Sequence, residues 1–219
     1  PDFSILAHET RVENILIAEN LRHETLEPVF NAAALAGGAI SHPQGAALAW
    51  LWQFSGSRLV ARKGDVPQQE DRPEFVFRVS DDRIAITHRQ RGTPIDRVVA
   101  ELMILANSTW AADLHAAGQL ALYRVQNGGK VRTSTASGPH VGLGVTHYMW
   151  ASSPLRRYSD LVNQRQLIAL ARGEPPVYNA QDTALLAAMR DFEVAYETYG
   201  EYQRNMERYW SLRWLLQEK

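Results

Sequence analysis

The run Ser152-Ser153-Pro154-Leu155-Arg156-Arg157-Tyr158-Ser159-Asp160-Leu161 leaves its backbone few choices, because proline fixes φ and has no amide proton to donate. Ser153 suits an N-cap and Pro154 the first helical position, where a missing N–H is tolerated. The spacing therefore predicts a helix from Pro154 to about Arg172, ended by Gly173. Arg156 and Arg157 then fall in the first turn, at the positive end of the helix dipole, where an anion is favoured. Asp160 stands four residues after Arg156 and three after Arg157, so its carboxylate can hold either guanidinium. A phosphodiester is the other anion such a corner would accept. The alternative is an arginine pair that only makes ion pairs with neighbouring elements.

Periodicity and turn residues divide the rest of the chain. Residues 11–20 alternate like a strand, and residues 23–36 read as a helix stopped at Gly37 and Gly38. A second helix is expected over 44–61, and the polar, proline-containing stretch 63–73 reads as a loop. Residues 75–79 and 83–87 predict a hairpin turning at Asp81 and Asp82. Thr93 and Pro94 start a helix that continues to about His115, and residues 120–126 are a candidate strand broken at Asn127, Gly128 and Gly129. After the Glu174-Pro175-Pro176 linker, a helical pattern runs almost to the end. Leu185, Met189, Phe192, Tyr196, Tyr199, Met206, Trp210 and Trp214 mark its apolar stripe, which is expected to be core. The expected fold class is α+β, a mixed sheet packed with helices and followed by a long C-terminal helix.

Composition removes several chemistries. The chain has no cysteine, which excludes a disulfide framework, a thiolate metal site and a cysteine nucleophile. No apolar run reaches the roughly 18 residues needed to span a bilayer, so a cytoplasmic chain without a membrane partner is expected. With 23 basic and 24 acidic residues the net charge is -1, so affinity for a nucleic acid must come from a local patch. Glu101 is singled out because apolar residues flank it on both sides. A shielded carboxylate requires a partner, and Arg124 is the candidate for a structural ion pair. Tyr123 and Tyr148 can either present ring faces to bases or pack internally. His140 is read as structural, and Asp81, Asp82 and Asp96 are not read as metal ligands.

Taken in order, the residues 134–144, Tyr148 and 152–165 resemble the catalytic RNB domain of ribonuclease II-type exoribonucleases. Arg72-Pro73-Glu74-Phe75 and the stretches 98–107 and 122–125 are similar to further blocks of that domain, so the resemblance covers residues 10–215. It implies that 1–219 is a partial RNB catalytic domain, lacking the aspartate-bearing N-terminal part and the cold-shock-like and S1-like RNA-binding domains. The implied activity is hydrolysis of single-stranded RNA from its 3' end to nucleoside 5'-monophosphates, with magnesium as the divalent metal. Its ligands would lie in the N-terminal part, with no metal ligand in this chain. The implied partners are single-stranded RNA and the remainder of the same catalytic domain. Arg156 would be the catalytic residue, steadying phosphoryl charge. RNA contacts are implied for Glu101, through a ribose hydroxyl, for Tyr123, Tyr148, Ser153, Arg157, Tyr158 and Asp160, and for Glu207. Gln164 departs from the family, where histidine is frequent, so no ligand or proton role is carried to it. The alternative is a non-catalytic RNA-binding or scaffold protein with an RNB-like fold.

Overall fold

The computed structural model describes residues 2–64, 73–81 and 83–219. The helices are α1 (His23–Leu26), α2 (Ala32–Ala36), α3 (Gly45–Lys63), α4 (Pro94–Ala116), α5 (Tyr158–Arg172) and α6 (Thr183–Gln217). The strands are β1 (Pro73–Ser80), β2 (Arg83–Gln90), β3 (Tyr123–Val125) and β4 (Arg132–Ser134). They divide between two compact units, one holding α1 to α5 with β3 and β4, the other holding β1, β2 and α6.

In the first unit α4 is the spine. Thr93 caps it by accepting the Asp96 amide at 3.4 Å, with Pro94 in the first turn, as the sequence predicts. Its N-terminal half joins Ile95 and Val98 to Leu26, Phe30 and Leu48 from α1, the following turn and α3. Further along, Ala111 and Leu114 pack with Tyr123 and Val125 of β3, Met149, Ala151 and Leu167 of α5. One helix therefore carries two apolar clusters.

Three local expectations are corrected here. Residues 11–20 form no strand, and Ile15, Leu16 and Ile17 are exposed. A strand needs a neighbour to take its amides, and among the described residues none pairs with this segment. The helix expected over 23–36 is split, because Pro28 cannot donate to the carbonyl one turn earlier. Asn31 restarts it as α2, its Oδ1 accepting the Ala34 amide at 3.0 Å. The mixed sheet is replaced by two separate antiparallel ribbons, β1–β2 and β3–β4.

The shortness of β3 has an identifiable cause. The buried Asn163 side chain accepts the Leu122 amide at 2.8 Å and donates to the Leu122 carbonyl at 3.1 Å and the Trp150 carbonyl at 2.8 Å. Gln166 donates to the Leu120 carbonyl at 3.0 Å. Side-chain amides of α5 thus do the pairing that a longer strand would do. Positive φ angles at Gly128 and Gly129 then turn the chain back into β4, pairing Tyr123 with Ser134.

The second unit is the expected hairpin and terminal helix. Strands β1 and β2 pair from Pro73 with Gln90 to Ser80 with Arg83, around a turn in which Asp81 has φ 48. Gln217 of α6 accepts the Ile84 amide at 2.8 Å and donates to the Ile84 carbonyl at 3.0 Å. The expected loop at 65–72, Arg72 of the family-like block and Asp82 of the turn lie outside the described residues. The α6 stripe departs from expectation. Leu185 is buried, but Met206, Trp210 and Trp214 are half-buried and Tyr196 and Tyr199 exposed. A single 35-residue helix is too long for an eight-residue ribbon to cover.

Asn163→Ala should lower unfolding stability by about 2 to 4 kcal/mol, because it strands one amide and two carbonyls away from water. Urea denaturation checks this, with the midpoint falling while the slope is retained.

Candidate functional site

Helix α5 begins at Tyr158 rather than Pro154, with Arg157 as an N-cap that has no side-chain capping bond. The segment before it is a turn, in which the amides of Arg156 and Arg157 donate to the Ser153 carbonyl at 3.2 and 3.1 Å. Ser153 is not the cap the sequence predicts, because the stronger acceptor comes from within the helix. Asp160 Oδ1 accepts the Ser153 amide at 2.7 Å. The same carboxylate takes Arg157 in a fork, with Nε to Oδ2 at 2.8 Å and Nη2 to Oδ1 at 2.7 Å. Asp160 is fully enclosed. Of the two arginines open to it by spacing, the carboxylate binds Arg157. Arg156 stays exposed, its Nη2 donating to Ser153 Oγ at 3.4 Å.

Trp150 lies beside this turn. The Arg157 guanidinium is 4.4 Å from the centre of its ring, and that of Arg124 on β3 is 4.2 Å away. Arg124 also donates to Thr133 Oγ1 of β4 at 2.8 Å. The chain between Tyr148 and Ser153 is pinned from both neighbouring helices. Asn107 of α4 accepts the Ala151 amide at 3.1 Å and donates to Ser152 Oγ at 3.2 Å. Gln164 of α5 donates to the Ala151 carbonyl at 2.7 Å and so holds the backbone there.

Several residues expected at an RNA surface prove to be internal. Asp160 offers no accessible oxygen, since desolvation is offset by three N–H donors from the chain itself. Tyr123 is in the core with its ring covered, so it packs rather than stacks on a base, and burial pushes its phenol pKa up. Tyr148 is nearly covered, meets His140 edge-on at 5.4 Å between ring centres, and is likewise pushed up by burial. Glu101 is buried, and the cation it meets is Arg62 of α3 instead of Arg124. Arg62 Nε donates to Glu101 Oε2 at 3.2 Å, Nη2 to Oε1, and Nη1 to the Leu143 carbonyl. The fork places one donor on each oxygen of a carboxylate that is 4% exposed. Ser153 is half-buried and Tyr158 exposed, both beside Arg156. Glu207 belongs to the second unit, where it is exposed and accepts from Gln203 Nε2 at 2.9 Å.

Arg62, Asn107, Trp150, Asn163 and Gln166 are the site-building residues that sequence reasoning missed. Periodicity marks them as helix or loop positions, and only an unusual density of amide side chains in Asn163-Gln164-Arg165-Gln166 hints at their work. His140 is structural as expected, its Nδ1 accepting the Leu143 amide at 3.3 Å. Burial holds it below the ordinary histidine value. His147 is also held low, by burial and then by the neighbouring His115, whose ring is 4.7 Å away. Among the described residues no three histidines, aspartates or glutamates converge on a common point. Nor, among them, is any helix long and apolar enough to cross a membrane.

The sequence around this turn matches a known domain. Residues 129–173, which contain the turn, Trp150 and all of α5, match the family model of the RNB domain. Exoribonuclease 2 of Erwinia tasmaniensis is 44% identical over 57 residues, which is 26% of this chain and 9% of that protein. A ribonuclease of Synechocystis is 40% identical over 78 residues, 35% of this chain and 11% of that protein. The chain thus matches a small part of the length of these relatives. Among solved structures, a Candida glabrata Dss1 exoribonuclease active-site mutant superposes with a TM-score of 0.73 at 22% identity, covering 84% of this chain and 28% of that one. Mycoplasma genitalium RNase R in complex with ribose-methylated single-stranded RNA gives 0.56 at 17% identity over 77% of this chain and 36% of that one. These two likenesses are of fold. The sequence matches make this part of the chain similar to the RNB domain and to proteins named as exoribonucleases.

Arg62→Met should destabilise the chain by about 3 kcal/mol or more by leaving Glu101 buried without its cation, and adding Glu101→Leu should restore much of the loss. A denaturant double-mutant cycle measures both. For the histidines, a folded-state pKa below the unfolded value means that stability is present above the ordinary value of 6.5 and is lost as pH falls through and below it. Thermal midpoints should therefore drop between about pH 7.5 and pH 5.5, and His147→Gln should reduce the drop.

Proposed function

We propose that this chain contributes the phosphate-facing arginine corner of a 3'-to-5' exoribonuclease acting on single-stranded RNA and releasing nucleoside 5'-monophosphates. One observation carries the reading. On a single turn, Arg157 is neutralised by an enclosed carboxylate while the adjacent Arg156 is presented to solvent. A turn that spends one guanidinium on its own rigidity and exposes the next is arranged to receive an anion from outside. The RNB match over this very segment, and the RNase R neighbour whose structure contains single-stranded RNA, favour a phosphodiester as that anion.

In this reading Arg156 donates to the non-bridging oxygens of the scissile phosphate, more strongly as charge develops on them. Ser153 and Tyr158 border the strand. Arg157 and Asp160 act from inside, fixing where the Arg156 side chain starts, and Tyr123, Tyr148 and Glu101 support the wall behind it. Glu207 remains a contact proposed from resemblance, and its exposure leaves its carboxylate available. Magnesium and the carboxylates that bind it belong to the rest of the catalytic domain, the partner this reading requires. The second reading is an RNA-binding protein without catalysis, which holds if the rest of the domain brings no aspartate cluster to Arg156. It predicts RNA binding with no mononucleotide product.

Arg156→Ala in the intact protein should reduce kcat on a 5'-labelled single-stranded RNA by about 100-fold or more while RNA affinity changes far less. Equal losses in turnover and affinity would make Arg156 a binding residue only. Undiminished turnover would remove it from the site.

A further inference from the structure

The indole of Trp150 is shared by two guanidiniums, Arg157 at 4.4 Å and Arg124 at 4.2 Å from the ring centre. We infer that Trp150, braced by Arg124, is the positioning residue that sets the Arg156 turn, and that it is not a surface on which bases stack. The inference deepens the reading above and rests on it for its catalytic consequence.

The start of the turn is held by the Ser153 amide on Asp160 and by the Arg156 and Arg157 amides on the Ser153 carbonyl. Its far end has no side-chain cap at Arg157, and Leu155 and Arg156 are exposed. There the Arg157 side chain is gripped along its edge by Asp160 and against its face by Trp150. Asp160 sets the distance of the turn from α5, and a fork-to-fork contact still permits the guanidinium to swing about it. Contact with the indole removes that swing. The backbone that carries the indole is pinned. The Trp150 carbonyl accepts from Asn163 at 2.8 Å, and the neighbouring Ala151 is bonded through its amide to Asn107 and through its carbonyl to Gln164.

Arg124 completes the brace from the opposite element. It comes from the β3–β4 ribbon, where Thr133 accepts its Nη1 at 2.8 Å, so it carries the rigidity of that ribbon to the ring. Two like charges at one indole repel each other, and a packing role alone would be met better by an apolar side chain. The second cation makes sense where a positive potential at the turn is useful, as it is for drawing a phosphate to Arg156. An indole with guanidiniums 4.2 and 4.4 Å from its centre has less of its ring to offer a nucleobase.

The test uses the intact protein with Trp150→Phe, Trp150→Leu and Arg124→Met, read by kcat on single-stranded RNA, by RNA affinity from fluorescence anisotropy in EDTA, and by the rate of tryptic cleavage after Arg156. Trp150→Leu should lower kcat about 10-fold or more with affinity changed less than about 3-fold, and should speed cleavage after Arg156. Trp150→Phe, which keeps a ring face, should restore most of the turnover and the protection, and Arg124→Met should fall between. Wild-type kcat and wild-type cleavage in Trp150→Leu would overturn the inference. So would equal damage in the phenylalanine and leucine variants, or an affinity loss as large as the turnover loss, which would make the ring an RNA contact. Should Trp150→Leu fail to fold by circular dichroism, the phenylalanine and Arg124→Met variants decide by the same readouts. If the wild-type protein releases no mononucleotide, the exoribonuclease reading fails while the cleavage rates still decide the positioning role.

Discussion

The enclosed carboxylate of Asp160 is the constraint around which the site is arranged. An ionised carboxylate removed from water is unfavourable by several kcal/mol unless its oxygens are matched by donors of good geometry. Here the match comes from the Arg157 fork and the Ser153 amide, all within seven residues of chain. Those bonds explain why α5 starts at Tyr158, because the Ser153 amide is held outside the helix and the residues between must close as a turn. They also explain why Arg156 is exposed: the only carboxylate within reach by spacing has both oxygens occupied by its neighbour.

Around this pair the backbone is secured by side-chain amides. Asn107, Asn163, Gln164 and Gln166 reach from α4 and α5 to the carbonyls and amides of 120–122 and 150–151, and Gln166 also exchanges two bonds with Tyr178. A longer strand would satisfy the same groups by pairing with another strand. Amides do it locally, which leaves an irregular segment both dry and rigid. Rigidity of this kind is what a charge-stabilising site requires, since donors already in place need not reorganise as the reaction proceeds.

A second enclosed pair, Arg62 with Glu101, plays a comparable part in α3 and α4. Arg62 extends beyond the carboxylate to the Leu143 carbonyl, tying both helices to the glycine-containing turn after β4. Gly144 takes φ +68 there, and a Cβ on it would lie 2.4 Å from the Arg62 carbonyl oxygen. Only glycine allows that approach. The same turn contains His140, whose neutral ring is favoured by burial and caps the Val141–Leu143 turn.

Much of the secondary structure was legible from local pattern. The Thr93-Pro94 cap, the β1–β2 hairpin, the Gly173 stop and the long terminal helix depend on residues close together in sequence, whose backbone preferences act before any tertiary contact forms. The arginine corner itself was legible for the same reason, as was the need of Glu101 for a cation. What the tertiary structure alone decided is which partner each charge takes and which groups remain outside. Arg62 is 39 positions from Glu101, Asn163 is 41 from Leu122, and Trp150 receives Arg124 from a separate ribbon. Periodicity contains no information about such encounters. They follow from how the helices pack, and in a medium of low dielectric it is the packing that determines which polar groups must find one another.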